Sequence, residues 1–321
     1  MSKLKKLVIF LLVLVVAIPA AAYGYVYFKL NKMHDSSADN ELLNSTDYKS
    51  EKGITNILLA GIDSRSKNEN GTRSDSMMIL TVDNKNKSLK LTSLARDTYV
   101  NISGHGKEKL THAYAYGGVN LLIETIENNF ELDIQNYAVV DYFSFMDIVD
   151  ALGGVTVDIR DSELKELNRY IDDCYYLNDS PNKKPIEYIQ KSGNNKLNGY
   201  QALAFGRIRK NDDALERDRR QRAMIQGLID GVKDLPITKY PSLVDSILPY
   251  VKTNMKPTQI ISIGTTVLGL GDLSLKQLEF PPEEFSKGGI VEDDGWVWQY
   301  DEDKSLPVLH DFIFKNIIYT K

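Results

Sequence analysis

The chain has 321 residues, 42% apolar and 26% charged, an ordinary balance for a globular protein with enough length to bury one large core or two modest ones. Its net charge of −5 and single cysteine, Cys174, exclude an intramolecular disulfide and argue against a nucleic-acid binder, which normally shows a wide basic face. The histidines His34, His105, His112 and His310 are scattered without metal-ligand spacing, so no zinc site is expected.

Lys3, Lys5 and Lys6 precede an uncharged run of 22 residues, Leu7 to Phe28, closed by Lys29 and Lys32. A run this long can cross a bilayer, whose apolar thickness needs about 20 helical residues. A cleaved signal peptide is the competing reading, with Ala20-Ala21-Ala22 as the cutting site, although its apolar core is usually only about 7 to 15 residues. Tyr23, Tyr25, Tyr27 and Phe28 fit an interfacial aromatic belt, and the early lysines favour a cytoplasmic N-terminus. The expected layout is therefore a cytoplasmic N-terminus and single-pass cell-membrane anchor over 1–33, a polar linker over 34–53 and an extracellular domain over 54–321. The portion beyond residue 33 holds 34 basic and 44 acidic residues, a net charge of −10.

Within the domain, ITNILLA (54–60) and MMILTV (77–82) read as buried strands, and 89–94 alternates as a third. Asn84-Lys85-Asn86 supplies a hairpin turn. Leu121, Leu122, Ile126 and Phe130 define a helix face over 119–130. A strand over 137–140, a helix over 142–152 ending at Gly153-Gly154 and a strand over 155–159 follow. Residues 178–198 turn polar and read as a surface loop; 199–209 then forms an element delivering Arg207 and Arg209 at its end. Helices are expected over 242–254, 257–270 and 305–318, and strands over 275–280 and 296–300. Alternating strands and helices without a repeat or internal boundary predict one layered α/β/α domain with a central mixed sheet.

The densest chemical signal lies between Phe205 and Arg222, where six of the eleven arginines fall. Guanidinium forks suit phosphate oxygens. In a helix starting near Arg217, the apolar stripe Met224, Ile225, Leu228, Ile229 and Val232 places Arg217 and Gln221 facing inward, Arg220 on the flank and Arg219 opposite. Arg219 and Arg222 are expected to face solvent. An inward arginine needs a counter-charge, which Asp212, Asp213 or Glu216 could supply internally, or a bound anion could supply from outside. Arg207 and Arg209, two apart, share a face if extended. Asp63, Arg73, Asp75 and Arg96 fall at the ends of the first three strands, a common place for α/β ligand sites. Asp63 and Asp75 could act as turn and cap residues or hold a hard cation shared with phosphates.

The ordered segments NILLAGIDSR, TRSDSMMILTVD, LTSLARDTYV, KLTHAYAYGG, VVDYFSFMDIVDALGGVTVDI and FGRIRK…DD…ERDRRQR resemble the signature of the LytR-CpsA-Psr family over about residues 54–235. That resemblance implies a phosphotransferase moving an anionic glycan, such as wall teichoic acid or capsular polysaccharide, from a polyprenyl-pyrophosphate carrier to peptidoglycan. It implies Arg73, Arg96, Arg207, Arg209, Arg217 and Gln221 on the pyrophosphate, Asp63 and Asp75 on Mg²⁺ (or Mn²⁺), and Arg73, Asp75 and Arg217 as catalytic. One departure is Asp213-Ala214-Leu215-Glu216, where the family often has Asp-aromatic-Gly. The base that deprotonates the acceptor stays open, with Asp75 the nominee. Pyrophosphate hydrolysis needs the same grip and is the alternative activity; an envelope-linked transcriptional regulator is the non-catalytic alternative, opposed by the expected outward topology.

Overall fold

The computed structural model describes residues 48–64, 72–177, 185–209, 214–236, 250–292 and 294–319, with a few isolated positions elsewhere. The expected anchor over 7–28 and most of the linker lie outside the described residues, as do Asp212 and Asp213. No helix among the described residues is long and apolar enough to cross a membrane.

Three consecutive apolar segments form an antiparallel meander, β1 (Ile54–Ile62), β2 (Ser74–Asp83) and β3 (Ser88–Leu94). The turn at 84–87 joins the last two, where the Asp83 carboxylate accepts from the Asn86 amide at 2.8 Å. Short strands β4 (Tyr99–Ile102) and β5 (Gly106–Lys109) make a separate hairpin. Helix α1 (Leu110–Phe130) crosses back and leads into β6 (Asn136–Asp141), which pairs parallel to β1. Far along the chain, β9 (Leu275–Phe280) adds parallel to β3, giving a mixed sheet of order β6-β1-β2-β3-β9.

The strand period of two divides the sheet residues between two faces. Leu58, Met77, Ile79, Tyr137 and Val139 pack on one face beneath α1 and the C-terminal helix α7 (Glu302–Lys315). The other face meets α2 (Tyr142–Ala151), α4 (Gly199–Arg207) and α5 (Ala214–Lys233), whose apolar side chains join α3 (Asp161–Leu177) in a second core. Helix α6 (Pro257–Leu268) runs between α5 and β9 in the chain. With both faces covered, β3 is buried along its whole length, and its inward Lys90 is tolerated because Nζ reaches Asp83 at 2.7 Å and the Ile313 carbonyl at 2.7 Å.

Three features differ from the sequence expectations. Strand β7 (Val155–Ile159) does not join the central sheet; it pairs antiparallel with β8 (Gly193–Leu197), inside the stretch expected to be loop. The cause is that β8 is polar and alternates only weakly, so its pairing depends on the partner strand. Helix α1 begins nine residues earlier than its apolar face indicates and is kinked at Gly117 and Gly118, the latter at φ 65°. Most of the expected helix over 242–254 lies outside the described residues, although Lys252 pairs with Val139 as an isolated bridge. The hairpin β10 (Ser286–Val291) and β11 (Gly295–Tyr300) contains the expected strand at 296–300.

The linker's last residues are already docked. Lys49 bridges to Leu132, and its ammonium lies 5.1 Å from the Phe314 ring.

Candidate active site

Asp75 enters β2 one residue after its start, opposite the end of β1. The register pairs Gly61 with Ser76 and Ile62 with Ser74, so Asp75 is the extra residue of a bulge on β2, and the Asp63 amide donates to the Arg73 carbonyl at 3.1 Å. Asp63 and Asp75 are thereby brought to the same corner of the sheet. Both carboxylates act on the Tyr142 phenol, whose pKa is pushed up to about 12 by burial first and then by Asp75 and Asp63.

Two guanidinium groups converge on Asp75 from different elements. Arg96, just past β3, donates Nη1 to Asp75 Oδ1 at 2.6 Å, and Arg209, just past α4, donates Nη2 to Oδ2 at 3.2 Å. Burial opposes the Arg96 charge, but Asp75 and Asp97 outweigh it and raise its pKa. Arg207 ends α4 rather than lying in an extended segment. Its guanidinium carbon stands 5.1 Å from the Tyr142 ring centre, and Nη1 points at Cys174 Sγ at 3.6 Å. Helix α4 is fixed by a reciprocal cap, with Asn198 and Gln201 each bonding the other's backbone amide. Its end, and with it both arginines, is held in place.

Helix α5 supplies Arg217 and Gln221 to the same space. Arg217 is only 8% exposed, its Nε is buried without a hydrogen-bond partner, and no carboxylate among the described residues closes an ion pair with it. Burial first, and then the neighbouring Arg96, push its pKa below the ordinary guanidinium value. Asp218 and Asp75 pull the other way without closing an ion pair, and a buried cation so incompletely compensated costs several kcal/mol unless an anion joins it.

These groups surround the mouth of a cavity of about 230 Å³. Asp75, Arg207, Arg209, Arg217 and Gln221 give its polar end, and Tyr142 borders it. The remaining wall is almost wholly apolar: Leu59 and Met78 from the sheet, Ala138 and Val140 from β6, Phe145 and Ile148 from α2, Leu203 from α4, and Met224, Ile225 and Leu228 from α5. An anion grip opening into an apolar pocket suits an amphiphile with a charged head and a hydrocarbon tail.

The other arginines of α5 are occupied. Arg220 is fully buried, donating Nη1 to Glu163 of α3 at 3.1 Å and Nη2 to the Ile208 carbonyl at 2.9 Å. Arg219 bonds Glu163 and reaches Glu216 at 2.9 Å. Arg222 is buried against the sheet, bonded to Glu279, to Ser93 at 3.1 Å and to Gln277 at 3.0 Å. Solvent-facing positions for Arg219 and Arg222 are therefore corrected: α5 is packed on several sides, by α3, β7 and the β3–β9 edge. Gly227 permits the close approach to β7, since a Cβ there would stand 2.8 Å from the Thr156 carbonyl oxygen.

Of the residues singled out from the sequence, Asp75, Arg96, Arg207, Arg209, Arg217 and Gln221 are gathered in or beside the cavity mouth, with Asp63 at the same corner. Arg73 is exposed and absent from the cavity wall; its charge instead reaches Tyr116 at the side. Sequence reasoning missed Tyr142 and Cys174, which hold Arg207, and the apolar wall. Tyr142 carried a signal, as the residue following the α2 cap Asp141, whose side chain accepts from the Ser144 amide at 2.7 Å. It also missed Asp218, buried behind Arg217, whose pKa is pushed up to about 7 by burial against the opposing pull of Arg217 and Arg222.

Comparison with known proteins gives the family. A polyisoprenyl-teichoic acid–peptidoglycan teichoic acid transferase TagT of Bacillus subtilis is 31% identical over 301 residues, covering 90% of this chain and 89% of that protein. A transferase of the same description, TagU of Bacillus anthracis, is 36% identical over 251 residues, covering 75% and 74%. The crystal structure of B. subtilis TagV superposes with a TM-score of 0.64 at 26% identity, covering 85% of this chain and all of that one. The family model described as LytR_cpsA_psr matches residues 20–310, and this chain belongs to the LytR-CpsA-Psr family.

Proposed function

We propose that the chain transfers an anionic glycopolymer from a polyprenyl-pyrophosphate carrier to peptidoglycan, acting outside the cell from a membrane anchor at residues 7–28. The observation that carries this reading is Arg217, a buried guanidinium without an ion-pair partner among the described residues, at the mouth of an apolar cavity. A pyrophosphate supplies its missing counter-charge, and the polyprenyl tail occupies the cavity. The names of the Bacillus relatives support teichoic acid as the polymer and peptidoglycan as the acceptor; capsular polysaccharide is the other polymer class the same grip would accept.

The reaction is a displacement at the phosphorus that bears the glycan. An acceptor hydroxyl oxygen forms a new P–O bond, the bond to the bridging oxygen breaks, and polyprenyl phosphate leaves with that oxygen and its added negative charge. The hydroxyl proton passes to solvent or a nearby base. Arg217, Arg207 and Arg209 meet the charge that grows on the leaving phosphate, and Arg96 and Gln221 orient the diphosphate. Because these groups are fixed by packing, little reorganisation accompanies the step.

Asp63 and Asp75 would hold Mg²⁺ or Mn²⁺. The support is that the two carboxylates share one corner; with two protein carboxylates, phosphate oxygens and water would complete the six oxygens that Mg²⁺ prefers. Bound there, the ion would neutralise phosphate charge. Asp75 now neutralises Arg96 and Arg209; a pyrophosphate and cation together would take over both partners.

The test supplies the full-length protein in lipid nanodiscs with a lipid-pyrophosphate glycan, peptidoglycan oligomers and Mg²⁺. The expected product is glycan covalently joined to peptidoglycan, lost on chelation. Release of free glycan phosphate alone indicates hydrolysis instead, and transfer undiminished in Arg217→Ala overturns the grip.

A further inference from the structure

A second cluster lies across the sheet from the cavity. His105 of the β4–β5 turn stacks on Tyr116 of α1 with ring centres 4.1 Å apart and planes 9° from parallel. Tyr116 is 44% exposed. Its hydroxyl donates to Glu108 at 3.2 Å, and His112 holds the other oxygen of the same carboxylate at 2.5 Å. From the β10–β11 turn Asp294 accepts from the Tyr99 hydroxyl at 2.9 Å, and its charge also reaches Tyr116. Two residues on, Trp296 is again 44% exposed. The β4–β5 hairpin and α1 thus gather aromatic faces at His105, Tyr99 and Tyr116 around Glu108 and, from the β10–β11 turn, Asp294.

Its place relative to the grip is fixed by backbone contacts. The Thr111 amide donates to the Arg96 carbonyl at 3.1 Å, and its hydroxyl to the Ser74 carbonyl at 2.8 Å. The Trp298 amide donates to the Asp97 carbonyl at 2.8 Å. The start of α1 and the β10–β11 hairpin are therefore tied to the residues flanking Asp75 and Arg96. The cavity opens on the opposite sheet face, lined by Leu59 and Met78, whereas Leu58, Met77 and Ile79 point toward α1.

We propose that this face, centred on Tyr116 and His105 with Glu108 and Asp294 at its margin, binds the acceptor glycan strand. The inference rests on the transfer reading above and assigns the partner surface. In a displacement at phosphorus the incoming and leaving oxygens are roughly in line. With the leaving lipid in the cavity, the acceptor enters from the side away from it, and this face is tied by backbone bonds to the residues beside Asp75 and Arg96 on that side. Sugar rings lay their axial C–H groups on aromatic faces, and carboxylates accept from their hydroxyl and amide groups; Tyr and Trp give such contact with little rotamer entropy lost.

The experiment measures binding of phosphate-free peptidoglycan oligomers to the full-length protein in nanodiscs, without donor, for the parent, Tyr116→Ala and Asp294→Asn. Binding of the lipid-pyrophosphate donor is measured in parallel. The expected result is a loss of oligomer affinity of about tenfold in Tyr116→Ala, about 1.4 kcal/mol, and a smaller loss in Asp294→Asn, with donor affinity and Tm unchanged. Unchanged oligomer affinity in both variants, or no oligomer binding by the parent, overturns the proposal. Loss of donor affinity instead assigns the face to the donor polymer and overturns it equally. Failure of the transferase reading shows separately, as absence of covalent product from the parent protein while these binding results stand.

Discussion

The six clustered arginines divide into two triplets that meet opposite surroundings. Arg219, Arg220 and Arg222 each bond a carboxylate, Glu163 or Glu279, and join α5 to α3 on one side and to the β3–β9 edge on the other. Arg207, Arg209 and Arg217 line the cavity, and among the described residues only Arg209 has a carboxylate bond there, to an Asp75 that Arg96 already occupies. The first triplet holds the scaffold together. The second is left with charge to spare at one spot, which is what binding an anion requires and what stability alone would disfavour. Burial therefore does not separate structural from functional arginines; the supply of internal carboxylates does.

Removing a member of each triplet should give opposite phenotypes. Arg220→Ala leaves Glu163 short of a buried partner, and the expected cost is about 3–5 kcal/mol in folding free energy, read by chemical denaturation. Arg217→Ala removes a cation that closes no ion pair among the described residues, so Tm should hold while transfer falls about 10²- to 10³-fold. A loss of stability in Arg217→Ala equal to that in Arg220→Ala would erase the distinction.

Asp218, between the triplets, sharpens the comparison through pH. Its pKa rises from 3.8 in the unfolded chain to about 7 in the fold, with burial the first cause. Between those values the folded state keeps a proton that the unfolded state has released, so stability falls as pH rises from about 4 to about 7. Asp218→Asn should flatten this part of the slope, melting above the parent at pH 8 and converging with it below pH 4. Glu127, also raised to about 7 by burial, acts with the same sign and leaves a residual slope. The smallest effect is expected from Tyr142→Leu, which removes the ring beneath Arg207. A weakening of pyrophosphate binding by about 0.5–2 kcal/mol, measured by calorimetry, is the range for a lost cation–π contact.

The central strands were legible because their apolar runs are continuous and bounded by turn residues, as in Ile54–Ile62 and Ser74–Asp83. The pairing of β8 was not, since GNNKL has almost no apolar alternation. In the site, helical periodicity correctly turned Arg217 and Gln221 inward. It failed for Arg222 because the rule assumes one buried face, whereas α5 is enclosed on several.

The sequence by itself determined the strand runs, the placing of Asp63, Asp75 and Arg96 at strand ends, the inward stripe of α5 and, through its ordered motifs, the family. These depend on local periodicity and residue chemistry, which neighbours in the chain suffice to set. Only the tertiary structure decided which arginines are neutralised, that Arg73 stands outside the cavity wall, that Tyr142 and Cys174 hold Arg207, and that an apolar cavity opens behind the grip. Those depend on which groups from distant elements arrive within a few ångströms, and charge balance in a buried site is settled only once the packing has placed every partner.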